Sequence, residues 1–416
     1  MSNKPLSAKI PPFPSFFTHS RTPSLDDLEA NACHEAWAAF CATHSREDVF
    51  DLSVSNATCV GLPGIHVETS SLQEAVLAAY EASPQGLLAT REAIAAYYTA
   101  FGLSPDPENI QLFASTSEAV GMLVKLVCQP GDAIITFSPT YPLLDTLCLL
   151  ESVELREVPL QDCAGEWAID FWTLEQCACP KTRAVIVVSP NNPTGHCMRQ
   201  EEYAKLTAFC ARRGLLLIVD EVFAGYRLNH DPELVSQPAA AHAKTGLVVS
   251  LSGLSKVCGL PQHKLGWGVF GGDPDIVREA MQRLSFITDS TLSVSGWVQR
   301  IAPALLARHT DFSSPCIARL HENYRILQTV AATPDTLWTL DHIAGGWSAC
   351  IRLPGWAGSD EKYACELARR GVRVFPGAFF GYRTHNPTLV LSLIPTPPRF
   401  AKGVERLVAY LHEALL

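Results

Sequence analysis

The chain has no run of 18 apolar residues free of charge, so no membrane-spanning helix is expected. Its start, Met1-Ser2-Asn3-Lys4, lacks the long apolar stretch of a secretory signal. No Gly-x-Gly-x-x-Gly follows a strand, which argues against a nicotinamide dinucleotide. No Gly-x-Ser-x-Gly is present to form a hydrolase elbow. His-Glu-x-x-His, the calcium-loop pattern and a close Cys-x-x-Cys pair are all missing, and no metal is expected. Excess positive charge is missing too. The formal net charge is -10, which argues against a nucleic-acid groove as the main function. No internal repeat is visible.

What is present is a large, well-mixed chain. It has 416 residues, too many for one ordinary core, and 47% are hydrophobic, which argues against disorder. The 14 cysteines are scattered, and many, such as Cys128, Cys148 and Cys210, lie in apolar segments. Buried thiols in a reducing compartment explain them most simply, and a cytoplasmic location is expected.

The hydrophobic pattern alternates between short apolar runs and helical periods. Residues 28–41, 72–82, 87–102, 117–128 and 201–212 read as helices. The runs 133–137, 184–188, 215–219, 247–251 and 265–270 read as strands. Such runs separated by helices predict a mainly parallel sheet covered on both faces. After about residue 310 the texture changes. A long helix over 312–330 precedes short strands at 347–351, 372–375 and 389–393, with helices at 360–370 and 398–415. The fold class is therefore α/β, with a large sheet domain over 56–310 and a smaller C-terminal α/β domain over 311–416. Residues 1–55 are expected to pack on the small domain.

Ligands of open α/β sheets bind beyond the carboxyl ends of the strands, and the polar motifs fall there. Asn192-Pro193-Thr194-Gly195 follows one run, Asp220 ends the next, and Lys256 follows the third in Leu251-Ser252-Gly253-Leu254-Ser255-Lys256. Ser115-Thr116-Ser117 precedes a helix, where backbone N–H groups and hydroxyls can cradle a phosphate. Tyr141 follows another strand and can lie over an aromatic ring. Each motif alone has an ordinary explanation as a turn, a cap, a surface amine or a core tyrosine. Their joint placement argues against those explanations.

This ordered set resembles the fold-type I pyridoxal-phosphate enzymes, specifically the class I/II aminotransferases related to aspartate aminotransferase. Tyr80, Gly86, Arg91-Glu92-Ala93-Ile94, Ala114 to Ala119, Pro139-Thr140-Tyr141, Asn192 to Gly195, Asp220 to Phe223, Ser255-Lys256 and Leu265-Gly266-Trp267 carry the resemblance. It implies that pyridoxal 5'-phosphate is held by Lys256 as a Schiff base, and that Lys256 shuttles the substrate proton. It implies that Asp220 pairs with the ring nitrogen, which keeps that nitrogen protonated so that the ring accepts electrons. Asn192 would donate to the phenolic oxygen and Tyr141 would stack on the ring. Ser115, Thr116, Ser117, Lys264, and Ser252 or Ser255 are the expected phosphate-side contacts. Tyr80 would reach the neighbouring subunit's phosphate, implying a homodimer with shared sites.

The chain departs from this pattern in four places. Phe223 replaces a tyrosine that bonds the phenolic oxygen, with Tyr226 three residues on. Lys264 replaces an arginine and lacks its bidentate fork. Gly253 replaces a serine. Val390 stands where an arginine clamps the substrate carboxylate, with Arg383 the nearest basic alternative, and Ser55-Asn56-Ala57 occupies a substrate loop. The expected activity is transamination between an amino acid and a 2-oxo acid. Elimination, replacement or carbon–carbon bond formation on an amino acid is the alternative, and a noncatalytic sensor is a third reading.

Overall fold

The structure is a computed structural model and describes residues 28–163, 166–229, 231–382 and 386–416. Its main sheet has seven strands in the order Ile110–Phe113, Gly266–Gly272, Leu247–Gly253, Leu216–Asp220, Thr182–Val188, Ala133–Ser138 and Glu154–Pro159. Six run parallel in sense. Gly266–Gly272, the fourth of the later apolar runs, is antiparallel to both of its neighbours. Its connection explains this. The chain leaves Gly253, makes only the short helix Leu254–Val257 and the single turn Pro261–His263, and re-enters the sheet at Gly266. A parallel return is usually carried by a full crossover helix, which this connection lacks.

The central strands are apolar on both faces because both are covered. Ile134, Ala184, Ile186, Ile218 and Val249 pack towards helices Thr116–Val127 and Pro274–Asp289. Ile135, Val185, Val187, Leu217 and Val219 pack towards helix Gln200–Arg213. Helix Leu88–Thr99 follows the expected period, whereas the helix expected over 72–82 spans only Thr69–Leu77. Ser83-Pro84 and further turn residues follow it, and they favour an extended exit.

The C-terminal region has its own antiparallel sheet, ordered Thr339–Leu340, Ser348–Arg352, Thr388–Ser392 and Phe375–Pro376. Helices Thr310–Ala331 and Pro397–Leu415 cover it through Cys316, Leu320, Phe400, Leu407 and Leu411. Phe50–Asp51 pairs in parallel with Val372–Arg373, and helix Leu28–Thr43 packs beside helix Asp360–Ala368. The first 27 residues of the expected N-terminal segment lie outside the described residues. None of the described helices is long and apolar enough to cross a membrane. All 14 cysteines are unpaired thiols, and six of them are buried.

The two sheet regions approach each other closely at Gly195. Its φ is +69°, and a Cβ there would lie 2.6 Å from Ile343 Cβ and 2.9 Å from the Gly345 carbonyl oxygen. Only glycine suits both the backbone angle and the gap. Gly195→Ala is expected to destabilise the protein by about 2–4 kcal/mol. Denaturant unfolding measures this, and a change within 0.5 kcal/mol (about the noise of a surface substitution) would contradict the close approach.

Candidate active site

Lys256 lies in the short helix Leu254–Val257, immediately beyond the strand Leu247–Gly253. Two contacts fix its backbone turn. Leu254 N–H donates to the Leu265 carbonyl at 3.0 Å, and the Tyr226 hydroxyl donates to the Lys256 carbonyl. The Lys256 amine is half-buried. Nζ donates to the Ser55 carbonyl at 3.5 Å and lies 4.5 Å from the centre of the Trp347 ring and 5.3 Å from that of Phe223. Burial lowers the amine's pKa to about 8, although Asp220 and Cys316 pull it upward.

Asp220 ends the adjacent parallel strand, Leu216–Asp220, and pairs in register with Leu251. Its Oδ1 accepts from the Val222 N–H at 3.1 Å. Burial raises the carboxyl to about 6, opposed by the Val222 N–H and by Lys256. The anionic and cationic groups therefore share one poorly solvated floor. Tyr141 is close to both Ser117, with which its hydroxyl hydrogen-bonds, and Asp220. Its phenol is raised first by burial and then by that carboxylate.

Helix Thr116–Val127 points its N-terminus at this floor. Ser115 is its N-cap, with Oγ accepting from Glu118 N–H at 3.1 Å. The Thr116 and Ser117 N–H groups lie in the first turn, which has no intrahelical acceptors for them. Gly266 allows the helix to sit there. A Cβ at Gly266 would come within 3.0 Å of the Ser115 carbonyl carbon and the Thr116 nitrogen. On the opposite side, the Asn192 Oδ1 accepts from Ser348 Oγ at 3.4 Å, which leaves the amide N–H groups as donors.

These groups fit pyridoxal phosphate. The helix N-terminus is a ready anion site. A desolvated carboxylate suits a protonated ring nitrogen, and a lysine amine lies on the same floor. Contacts link Tyr141 to Ser117 and Asp220, and Asp220 to Lys256, while Asn192 meets Ser348, the neighbour of the Trp347 beside Nζ. The chemical roles of these residues, and of Ser115 and Thr116 at the same helix start as Ser117, rest on the proposal below.

The other expected residues have different surroundings. Ser252 is buried on strand Leu247–Gly253, on the same face as Ser250, and its hydroxyl bonds Tyr98. Strand alternation sends it away from the phosphate end, so of the two serine candidates only the half-buried Ser255, next to Lys256, adjoins the cleft. Lys264 is exposed and has φ +50°. Tyr80 is 79% exposed on its own protomer. Val390 is 2% exposed and packs with Cys350 and Phe380, so position 390 brings no charge. Arg383 lies outside the described residues. Tyr226 supports the lysine's carbonyl and is buried there.

Sequence reasoning missed Trp347 and Ser348, which it read only as part of a strand. Their signal was Gly345-Gly346 just before an aromatic residue, a pair that lets backbone approach closely. It also missed the Arg352 cluster. Arg352 pairs with Asp341 and Asp162 and lies over the Trp167 ring at 5.1 Å, so the cation on this strand is already neutralised.

The model of the family described as aminotransferase class I and II matches residues 69–390. The chain belongs to this family. Nicotianamine aminotransferase A of Hordeum vulgare is 30% identical over 339 residues, covering 78% of this chain and 71% of that protein. Capreomycidine synthase of Streptomyces vinaceus is 30% identical over 281 residues, covering 67% and 69%. Tyrosine aminotransferase from Leishmania infantum shares the fold with a TM-score of 0.79 at 19% identity, over 93% of this chain and 97% of that one. Membership of this class I and II aminotransferase family makes the chain an enzyme of the pyridoxal-phosphate fold type I, and implies that cofactor. The mixed sheet and the smaller C-terminal sheet are that fold.

Asp220 makes the cofactor-free protein sensitive to pH. A folded carboxyl raised by burial from its ordinary value to about 6 favours the protonated form. The resulting penalty is absent below the unfolded pKa and fully present above the folded one. Asp220→Asn is expected to stabilise the cofactor-free protein by about 1–3 kcal/mol at pH 8, and to leave it nearly unchanged near pH 3.5. Denaturant melts at the two pH values provide the check. A loss of stability at pH 8 would show that the carboxylate is not penalised.

Proposed function

We propose that this enzyme is a pyridoxal-phosphate-dependent aminotransferase moving an amino group between an amino acid and a 2-oxo acid, with Lys256 as its reacting amine. The observation that carries this reading is the Lys256 amine, its pKa held to about 8, on one desolvated floor with the Asp220 carboxylate at the ends of adjacent parallel strands. When bound, pyridoxal phosphate supplies an electron sink for the pair left behind as a substrate's α-proton departs.

The chain's residues do the rest. Nζ of Lys256 takes and returns the proton, and an amine poised near 8 has a usable neutral fraction at physiological pH. The Asp220 carboxylate would face the cofactor's ring nitrogen and favour its protonated form. The Thr116 and Ser117 N–H groups, with the Ser115 and Ser255 hydroxyls and the exposed Lys264, would hold the phosphate. Asn192 would donate to the phenolic oxygen, and the Tyr141 ring would cover the pyridine. Phe223 and Trp347 form an apolar wall beside Nζ and exclude water. Tyr80 stands exposed beside Val76 and Leu77, which are 58% and 75% exposed. In this reading the stretch is covered by a second copy, making a homodimer in which Tyr80 serves the neighbouring site.

Val390 favours a second reading. Its apolar surroundings give a substrate carboxylate no partner at that position, and one relative at 30% identity is named a synthase. Elimination, replacement or carbon–carbon bond formation starts from the same loss of an α-proton.

Purified protein supplied with pyridoxal phosphate is expected to turn yellow, and Lys256→Ala to remove the visible band. A native protein that stays colourless and binds no pyridoxal phosphate would sink both readings. With a panel of amino acids, release of a 2-oxo acid while the pyridoxamine form accumulates supports amino transfer. Release of ammonia or of a side-chain group supports the second reading instead.

A further inference from the structure

Trp347 is the aromatic group nearest the Lys256 amine, 4.5 Å from ring centre to Nζ. It is also an expensive residue to place there. It is 4% exposed, and its indole Nε1–H is buried without a hydrogen-bond partner among the described residues. An unpartnered buried donor is costly to a fold. Phenylalanine would avoid that cost and would match the neighbouring rings, Phe223 at 5.4 Å and Phe312 at 6.4 Å. What tryptophan adds is the aromatic face that best attracts a cation.

The backbone is built to deliver this ring. At Gly345 a Cβ would lie 2.9 Å from the Tyr226 carbonyl oxygen and 3.0 Å from Pro190 Cγ. Gly346 has φ +96°, and its N–H donates to the same Tyr226 carbonyl at 2.9 Å. Tyr226 in turn donates its hydroxyl to the Lys256 carbonyl, and its ring meets that of Trp347 edge-on at 5.1 Å. One tyrosine therefore ties the lysine's backbone to the strand that carries the tryptophan.

We propose that Trp347 is a positioning residue for Lys256, its indole face fixing where the amine lies and stabilising the amine's charged form. This rests on the reading of Lys256 as the reacting amine. The groups acting on that amine come from several elements. Asp220 on strand Leu216–Asp220 and Cys316 on helix Thr310–Ala331 favour the charged form. The Ser55 carbonyl is a neutral acceptor. The Tyr226 hydroxyl is occupied by the lysine's own carbonyl. Two ring faces are the remaining favourable contacts, Trp347 at 4.5 Å and the more distant Phe223 at 5.3 Å, opposed by burial.

Replacing the ring by a small side chain would also admit water, so the test keeps its shape. The full-length protein is produced with multiply fluorinated tryptophan, which retains the ring's outline and weakens its negative face. The pH dependence of Lys256 labelling by an amine-directed reagent is then followed by peptide mass spectrometry. The visible absorbance of the pyridoxal-phosphate-loaded protein is titrated in parallel. Fluorination is expected to lower both midpoints by about 0.3–1 pH unit and to shift neither in a W347F background, where the other tryptophans still carry fluorine. An unmoved labelling midpoint, or an equal shift in W347F, would overturn the proposal. Failure of the native protein to bind pyridoxal phosphate would instead remove the proposed function, while the labelling result would still decide the place of Trp347.

Discussion

Everything at this site depends on keeping two opposite charges in a poorly solvated place without letting them neutralise each other by proton transfer. Burial pushes the Asp220 carboxyl up to about 6 and the Lys256 amine down to about 8. Each shift makes the charged state harder to hold, and the attraction between the two groups opposes both shifts. The gap that survives leaves the carboxylate largely ionised near neutrality and the amine able to lose its proton. A more exposed floor would return both groups to ordinary values, and a dry one without the pairing would discharge them.

The sheet creates that floor. Parallel strands end together, so Asp220 and the residues leading to Lys256 emerge side by side from buried strands that are apolar apart from Ser250 and Ser252. The chain then turns back through a short helix as the antiparallel strand Gly266–Gly272. Its first glycine leaves room for the N-terminus of helix Thr116–Val127. The anion-binding end of the cleft therefore depends on the same tight connection that carries the lysine. The smaller sheet closes the other side through Ser348 on Asn192 and Trp347 beside Nζ.

Much of this could be read along the chain. The apolar runs at 133–137, 184–188, 215–219 and 247–251 found strands because a strand buried on both faces is apolar at nearly every position, Thr136 and Ser250 being buried exceptions. Asp220, Asn192 and Lys256 stood out because polar residues just past such runs lie where these folds bind ligands. The direction of Gly266–Gly272 was not legible, since an apolar run looks the same in either sense. Ser252 looked equivalent to Ser255, and only strand alternation separates them, sending one to Tyr98 and leaving the other beside the lysine. The edge strands Ile110–Phe113 and Glu154–Pro159 escaped notice because the first is short and the second carries charge.

The sequence by itself determined the local chemistry: which residues are acids, amines and hydroxyls, where helices begin, and which segments must be buried. Tertiary structure alone decided which of those groups meet. Trp347 lies 91 positions from Lys256, and nothing local to either announces the contact. It exists because Gly345 and Gly346 let the chain pass within hydrogen-bonding distance of Tyr226. The shifted charge states of Asp220 and Lys256 are likewise properties of the folded floor, because desolvation comes from residues distant in the chain that only the fold packs around them.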